Sequence, residues 1–185
     1  MDCARGEANT PFGQVLGSGG GGRLRFKCPE RTEEAEVHGD GYYYVEKPLG
    51  PTCWTVRYKP KGGKWGPVSP PCVDIPPISF FYRQDFVVVD PGLVPVWGTV
   101  TDVKGEPVTA CQEITFGEFD VLTDPRGVFA TALPPGDYEV KVNGTPADRL
   151  VVNGQSARLV IPEPPPVALQ IAVRNARTMP EGEEG

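Results

Sequence analysis

The single histidine of this 185-residue chain, His38, precedes Asp40 in a glycine-rich stretch. A histidine acts as a general base only when a nucleophile or reacting group lies within hydrogen-bond reach, and no serine or cysteine pattern of that kind surrounds His38. We therefore expect a surface histidine. The GxSxG, P-loop and HExxH motifs, which position nucleophiles, phosphates and zinc, do not occur in the sequence either.

Three carboxylates lie near one another in sequence: Glu113, Glu118 and Asp120. A pair of carboxylates can work as acid and base in glycoside hydrolysis. Here, however, the neighbouring apolar residues alternate at period two, which favours the solvated face of a β-strand. We predict no catalytic residue and no enzymatic activity.

Five cysteines are present, and three of them, Cys28, Cys53 and Cys72, fall in one region. Structural free thiols are the favoured interpretation, and one disulfide between two of these three is the alternative. Cys3 and Cys111 are expected to stay unpaired. No CxxC or Cys/His spacing predicts zinc, so we expect no metal and no cofactor.

Aromatic residues concentrate between positions 42 and 65. Tyr43, Trp54 and Trp65, with the tyrosines beside Tyr43, could form a platform on which a sugar ring stacks. Packing in a core and a hairpin is the favoured explanation, because Trp54, Val56 and Tyr58 share one face of an alternating run.

The elements that must position these residues are β-strands. Between residues 94 and 161, short β-branched and aromatic runs alternate with turn chemistry such as Lys104-Gly105, Asp124-Pro125-Arg126-Gly127, Asn143-Gly144 and Asn153-Gly154. Strands at such spacing predict an all-β sandwich. The two Asn-Gly pairs predict hairpins, and Gly98 within the first strand predicts a bulge or a close backbone approach.

Four segments of this stretch carry a resemblance: Gly98-Thr99-Val100-Thr101-Asp102, Gly105-Glu106-Pro107-Val108, Thr123-Asp124-Pro125-Arg126-Gly127-Val128-Phe129 and Leu133-Pro134-Pro135-Gly136-Asp137-Tyr138-Glu139-Val140. With them the stretch resembles the carboxypeptidase regulatory-like family of transthyretin-like, immunoglobulin-type sandwiches. In that family these segments are turns and core strands. The resemblance therefore implies a fold and no active site.

The rest of the chain is expected to divide around this sandwich. Residues 1–22 are predicted to be a glycine-rich arm, 23–77 a smaller β domain and 78–93 one or two connecting strands. After the immunoglobulin-like domain at 94–161, residues 162–185 are predicted to form a proline-rich spacer, an amphipathic strand and an acidic tail.

Two apolar segments are predicted to contact other subunits. In the C-terminal strand, Val167, Leu169, Ile171 and Val173 share one face, which could pair with a neighbour's sheet edge or fold back on its own domain. The second segment is the apolar run that contains Phe80, Phe81 and Tyr82. It is expected either to form a shared core or to face another subunit.

Composition limits the partners. With 18 basic and 24 acidic residues the net charge is −6, which argues against nucleic acid. No run of apolar residues is long enough for a membrane helix, so no membrane insertion is expected. The N-terminal sequence lacks the regions of a secretory signal.

Together these features predict a non-enzymatic structural protein of a multi-subunit assembly. The main hypothesis is a bacteriophage virion component, a capsid-decorating, neck or tail accessory subunit made in the host cytoplasm, whose partners are other structural subunits or further copies of itself. The alternative is an extracellular or cell-surface module that binds carbohydrate or a cell surface.

Overall fold

The computed structural model describes residues 10–50, 53–75 and 81–164, with only the backbone of Phe81 and Tyr82. These residues form fifteen β-strands, which confirms the all-β prediction. None of them forms an apolar helix of membrane-spanning length. The strands are β1 Thr10–Leu16, β2 Gly22–Lys27, β3 Thr32–Val37, β4 Tyr42–Tyr44, β5 Cys53–Pro60, β6 Gly66–Asp74, β7 Phe81–Arg83, β8 Phe86–Val88, β9 Val94–Thr101, β10 Glu113–Phe116, β11 Phe119–Leu122, β12 Val128–Leu133, β13 Gly136–Val142, β14 Thr145–Val152 and β15 Ala157–Pro162.

The first unit, β1 to β8, is a sheet that closes on itself. Its strand order is β4-β3-β2-β5-β6-β8-β1-β7, and β1 also pairs with β4. Alternating side chains of these strands point inward and build one core. The predicted face of β5 is confirmed, since Trp54, Val56 and Tyr58 are all nearly inaccessible to solvent.

Strand β1 corrects the expected arm at residues 1–22. It pairs antiparallel with β4 on one side and parallel with β7 and β8 on the other. The glycine-rich connection that follows it is held in place by Tyr58, whose hydroxyl lies 2.9 Å from the carbonyl oxygen of Ser18 and 2.7 Å from that of Gly21. Residues 10–22 therefore belong to the first unit, and residues 1–9 lie outside the described residues.

Strands β7 and β8 also belong to this unit, although residues 78–93 were expected only to connect two domains. Strand β8 lies between β6 and β1, and β7 pairs with β1. A carbonyl–glycine contact makes this pairing close: a Cβ built on Gly13 would lie 2.3 Å from the carbonyl oxygen of Gln84. The glycine is thus required by packing and is not a sign of flexibility.

The second unit is an immunoglobulin-type sandwich. A four-stranded sheet, β11-β10-β13-β14, faces a three-stranded sheet, β12-β9-β15, across a separate apolar core. The close approach predicted at Gly98 is confirmed, because a Cβ there would lie 1.8 Å from the carbonyl oxygen of Leu159. The hairpin predicted at Asn143-Gly144 is confirmed too, with φ values of 49° and 81°.

The hairpin predicted at Asn153-Gly154 is wrong. Strand β14 belongs to the four-stranded sheet, whereas β15 pairs in parallel with β9 in the other sheet. The turn therefore carries the chain from one sheet to the other. Only Gly154 has a positive φ, 94°, so the two-residue conformation that makes a tight hairpin is absent there.

A polar seam joins the two units. The buried Ser69 hydroxyl donates to the carbonyl oxygen of Val96 at 3.2 Å. Arg126, in the turn predicted from Asp124 to Gly127, donates through Nη2 to Oε1 of Gln84 at 3.1 Å and to Oδ2 of Asp124 at the same distance. These hydrogen bonds run directly from one unit to the other and satisfy polar groups at the seam.

The role of β1 gives a first prediction. Gly13→Ala should lower the free energy of unfolding by about 2–3 kcal/mol, because the new methyl group would lie 2.3 Å from the backbone oxygen of Gln84, well inside van der Waals contact. Chemical denaturation followed by tryptophan fluorescence measures the change.

Gly39→Ala is the matched control in the same unit, since a Cβ there meets nothing within 4 Å and its φ is not positive. It should change stability by less than about 0.5 kcal/mol. If residues 10–16 were a mobile arm, Gly13→Ala would instead be neutral or slightly stabilising.

Candidate binding surfaces

Three large aromatic side chains lie side by side on the outside of the first unit, and we call Phe12, Tyr42 and Tyr44 the aromatic patch. Phe12 is directly opposite Tyr44 in the β1–β4 pair, and Gln14 is opposite Tyr42. The three aromatic residues are 40%, 48% and 56% exposed. A folded domain gains nothing from leaving such side chains in water, which indicates a contact surface.

Charged groups flank the aromatic patch on the β7 side. Arg83 is opposite Phe12 in the parallel β1–β7 pair, and its Nε lies 3.2 Å from Oδ1 of Asp85. The hydrogen bond and charge of Asp85 raise the pKa of Arg83, with a smaller contribution from Tyr42. Aromatic rings next to an oriented ion pair can hold a partner by both stacking and hydrogen bonds.

The structure places the residues of the expected sugar platform differently. Tyr43 and Trp54 are only 2% and 0% exposed. The Tyr43 hydroxyl donates to the carbonyl oxygen of Gln84 at 2.6 Å, and Trp54 Nε1 donates to that of Gly50 at 2.9 Å. These two side chains therefore belong to the core and cannot stack on a sugar at the surface.

Trp65 is half-buried on the opposite wall of the closed sheet, beneath the guanidinium of Arg25. The Cζ atom of Arg25 lies 3.9 Å from the centre of the Trp65 ring. Arg25 also donates through Nε and Nη2 to Oε1 of Glu34, at 3.1 and 3.0 Å. The indole face is thus covered by a cation that a carboxylate holds in position.

Around Arg25 lies a second surface, which we call the basic face. It consists of cations on the outward side of the paired strands β2 and β5: Arg23, Arg25, Lys27, Arg57 and Lys59. At one end it opens into a shallow groove of about 960 Å³, whose lining includes four cations, two carboxylates and an indole: Arg23, Arg25, Lys59, Lys61, Glu34, Glu36 and Trp65. The protein as a whole is acidic, so this is a local concentration of positive charge.

The candidates for acid–base chemistry stay at the surface. His38 is exposed, as are Glu113, Glu118 and Asp120. Glu113 faces Leu122, and Asp120 faces Thr115 across the β10–β11 pair, which leaves the carboxylates on solvated positions. No group of three or more His, Cys, Asp or Glu residues in the described part of the chain could hold a metal ion.

The cysteines differ from the expectation. Cys28 is disulfide-bonded, whereas Cys53, Cys72 and Cys111 are free thiols, as expected for these three. The alternative interpretation, a disulfide between two of Cys28, Cys53 and Cys72, is therefore wrong, because Cys53 and Cys72 are both free. Burial, followed by the hydrogen bond and charge of Cys72, raises the pKa of Cys53 to about 11. A nucleophilic cysteine needs the opposite shift.

The expected subunit contacts are only partly described. Phe80 and the C-terminal strand with Val167, Leu169, Ile171 and Val173 lie outside the described residues. At Phe81 and Tyr82 the backbone pairs with Thr10 and Pro11 of β1. That segment therefore contributes main-chain pairing to its own sheet.

Sequence reasoning missed Phe12, Arg83 and the basic face. Alternation in β2 and in β5 was visible, but nothing local shows that the two strands are neighbours, so their cations were not combined. Phe12 alternates with Pro11 and Gly13, and these residues concealed the strand. The one signal for the aromatic patch was the Tyr42–Tyr44 run itself, in which alternate residues must face outward.

No protein-family model matches the chain, and no curated protein matches it either. The carboxypeptidase regulatory-like resemblance therefore stays a hypothesis. Among solved structures, a streptococcal ancillary pilin is 9% identical, over 83% of this chain and 68% of that one, with a TM-score of 0.32. The shaft pilin SpaA from Lactobacillus rhamnosus GG is also 9% identical, over 85% of this chain and 96% of that one, with a TM-score of 0.32.

The Bacillus anthracis TIE protein is 12% identical over 83% of this chain, with a TM-score of 0.30, and this chain spans 33% of its length. Likenesses at these TM-scores support no statement about the fold. They carry no implication for activity or partners.

The raised pKa of Cys53 gives a second prediction. At pH 8 its thiolate fraction should be about a hundredfold smaller than that of a thiol with the ordinary pKa of 9.0, so alkylation by iodoacetamide should be slow and should rise up to pH 11. Peptide mass spectrometry over a pH series gives the rate at this site.

Cys72→Ala removes a neighbour that raises this pKa, so it should move the alkylation profile of Cys53 to lower pH. An unchanged profile would show that Cys72 does not act on Cys53.

Proposed function

We propose that the chain is a non-enzymatic structural subunit of a multi-subunit assembly, located outside the cell or at its surface, and that the aromatic patch binds a neighbouring subunit. The patch is the observation that supports this function best. Its three rings are half-exposed on the closed outer wall of the first unit, where they contribute little to that unit's own core.

The physical case rests on burial. Each aromatic side chain offers a large apolar area, and removing it from water in an interface is favourable by about 25 cal/mol per Å² of apolar surface. Tyr42 and Tyr44 also keep hydroxyl groups at the rim for hydrogen bonds. Phe12 and Tyr44 form a directly opposed pair, so the rings are already positioned before a partner arrives.

The rigid seam between the units favours the same function. A subunit that only connects neighbours needs fixed geometry between its surfaces and no reaction centre. The bonds from Ser69 to Val96 and from Arg126 to Gln84 supply such a fixed relation. In the described residues the titratable side chains singled out for catalysis are all exposed.

Carbohydrate binding is a second candidate for the same surface. Sugar rings stack on aromatic faces, and the Arg83–Asp85 ion pair beside Phe12 offers both donors and acceptors for hydroxyl groups. The residues would be Phe12, Tyr42 and Tyr44, because two members of the platform expected from the sequence are buried.

The structure gives the bacteriophage hypothesis less support than the sequence does. It rested in part on extended arms at both ends, and residues 10–22 are part of the first unit. An extracellular or cell-surface location is therefore the one we propose.

A third prediction tests the aromatic patch. The double variant Tyr42→Thr/Tyr44→Thr should weaken self-association about tenfold or more, because two half-exposed rings are lost while threonine keeps the strand preference. Light scattering and sedimentation over a concentration series measure the association, and the thermal midpoint should stay nearly unchanged.

Leu122→Thr/Val151→Thr is the matched control, since these residues are 62% and 64% exposed on strands of the second unit. It should leave association unaltered. If the wild-type chain stays monomeric but binds a glycan array, and only the tyrosine variant loses that binding, the sugar function replaces the assembly function.

A fourth prediction concerns the proposed assembly strand at Val167, Leu169, Ile171 and Val173. A chain shortened to end at residue 164 should lose self-association if that strand pairs with a neighbouring subunit. The measurement is the mass in solution of the full and shortened chains, under non-reducing conditions that keep the Cys28 disulfide. It decides between strand exchange and folding back.

A further inference from the structure

The basic face holds like charges directly opposite one another. In the β2–β5 pair, Arg25 faces Arg57 and Arg23 faces Lys59. Facing residues on one side of a sheet have Cβ atoms only about 4.5–5.5 Å apart, so like charges at these positions oppose folding. On the other side of β2 the signs do alternate, since β3 places Glu34 opposite Arg25 and Glu36 opposite Arg23, so the excess of positive charge lies toward β5.

Internal carboxylates neutralise this face only in part. Glu34 on β3 forms ion pairs with both Arg23, at 3.4 Å, and Arg25, at 3.0 Å. Arg57 makes no ion pair, and among the arginines of the described ranges it is alone in this. Its side chain is exposed, next to Arg25, and its guanidinium has donors to offer.

Further lysines extend the array. Lys59 and Lys61 line the groove together with Trp65, and no ion pair is found for either lysine in the part of the chain that the structure describes. Cations along one strand repeat every second residue, or about 7 Å, and the adjacent strand lies about 5 Å away. Such an array suits a ligand with repeated negative charges.

The lining of the groove suits one class of polyanion better than another. Proteins that bind single-stranded nucleic acid combine a positively charged groove with aromatic rings on which the bases stack. The face of Trp65 is covered by Arg25, which Glu34 fixes in place, so the groove offers cations without that stacking face. Sulfate and carboxylate groups need only such donors.

We propose that the basic face binds an acidic polysaccharide, whose sulfate or carboxylate groups contact Arg57, Lys59 and Lys61. This site is separate from the aromatic patch. It lies on another wall of the closed sheet, because β4 and β3 intervene between β1 and β2. The ligand proposed for the basic face is charged, unlike the partner proposed for the aromatic patch. The proposal therefore does not depend on the assembly function.

The test uses the full-length chain and two immobilised probes: heparin, which carries sulfate groups, and polygalacturonate, which carries carboxylate groups. The variant Arg57→Gln/Lys59→Gln removes two cations without introducing an unfavourable charge. It should lower the affinity for at least one probe about tenfold and reduce the salt dependence of binding. Binding to the two probes shows which anionic group the face prefers.

Lys47→Gln/Lys104→Gln is the charge-matched control, because both lysines are exposed and lie outside β2 and β5. It should retain wild-type affinity within about twofold. Equal losses in the two double variants, or no binding of the wild-type chain to either probe at low salt, would overturn the proposal. Tighter binding of single-stranded DNA than of both polysaccharides would overturn it as well.

Discussion

The closure of the first sheet depends on one close contact between Gly13 and Gln84. Because Gly13 has no side chain, the Gln84 carbonyl can approach β1 and accept a hydrogen bond from the Tyr43 hydroxyl at 2.6 Å. The Gln84 amide donates to the carbonyl oxygen of Phe12 at 2.8 Å, and its side chain accepts from Arg126 in the second unit. Gln84 thus helps to hold β1 in the closed sheet and, together with Ser69, joins the two units.

Much of the architecture could be predicted because it is local. Period-two alternation in β5 identified the core face of Trp54, and Asn143-Gly144 identified a tight hairpin. The Asp124 turn was equally clear, and its Gly127 has a φ of 74°. Each of these signals lies within a few residues, where backbone preference and side-chain direction determine the outcome.

The remaining features depend on which strands become neighbours. Strand β1 has Pro11 and Gly13 inside it, and its partner β7 lies about seventy residues further along the chain. The crossing after Asn153 depends on a parallel pairing with β9 that no short segment encodes. Both binding surfaces combine side chains from two or more strands. Their composition was therefore visible in the sequence, but their assembly was not.

The parallel pairing at both ends of the described chain has a mechanical consequence. Tension applied between Thr10 and Pro162 pulls the start of β1 against the end of β8, and the start of β9 against the end of β15. In parallel pairs these points lie at opposite ends of the two strands. The load therefore acts along the strands and is shared by all their hydrogen bonds at once, whereas a hairpin pulled from its open end separates one bond at a time. Both units should thus resist stretching along the line of the chain.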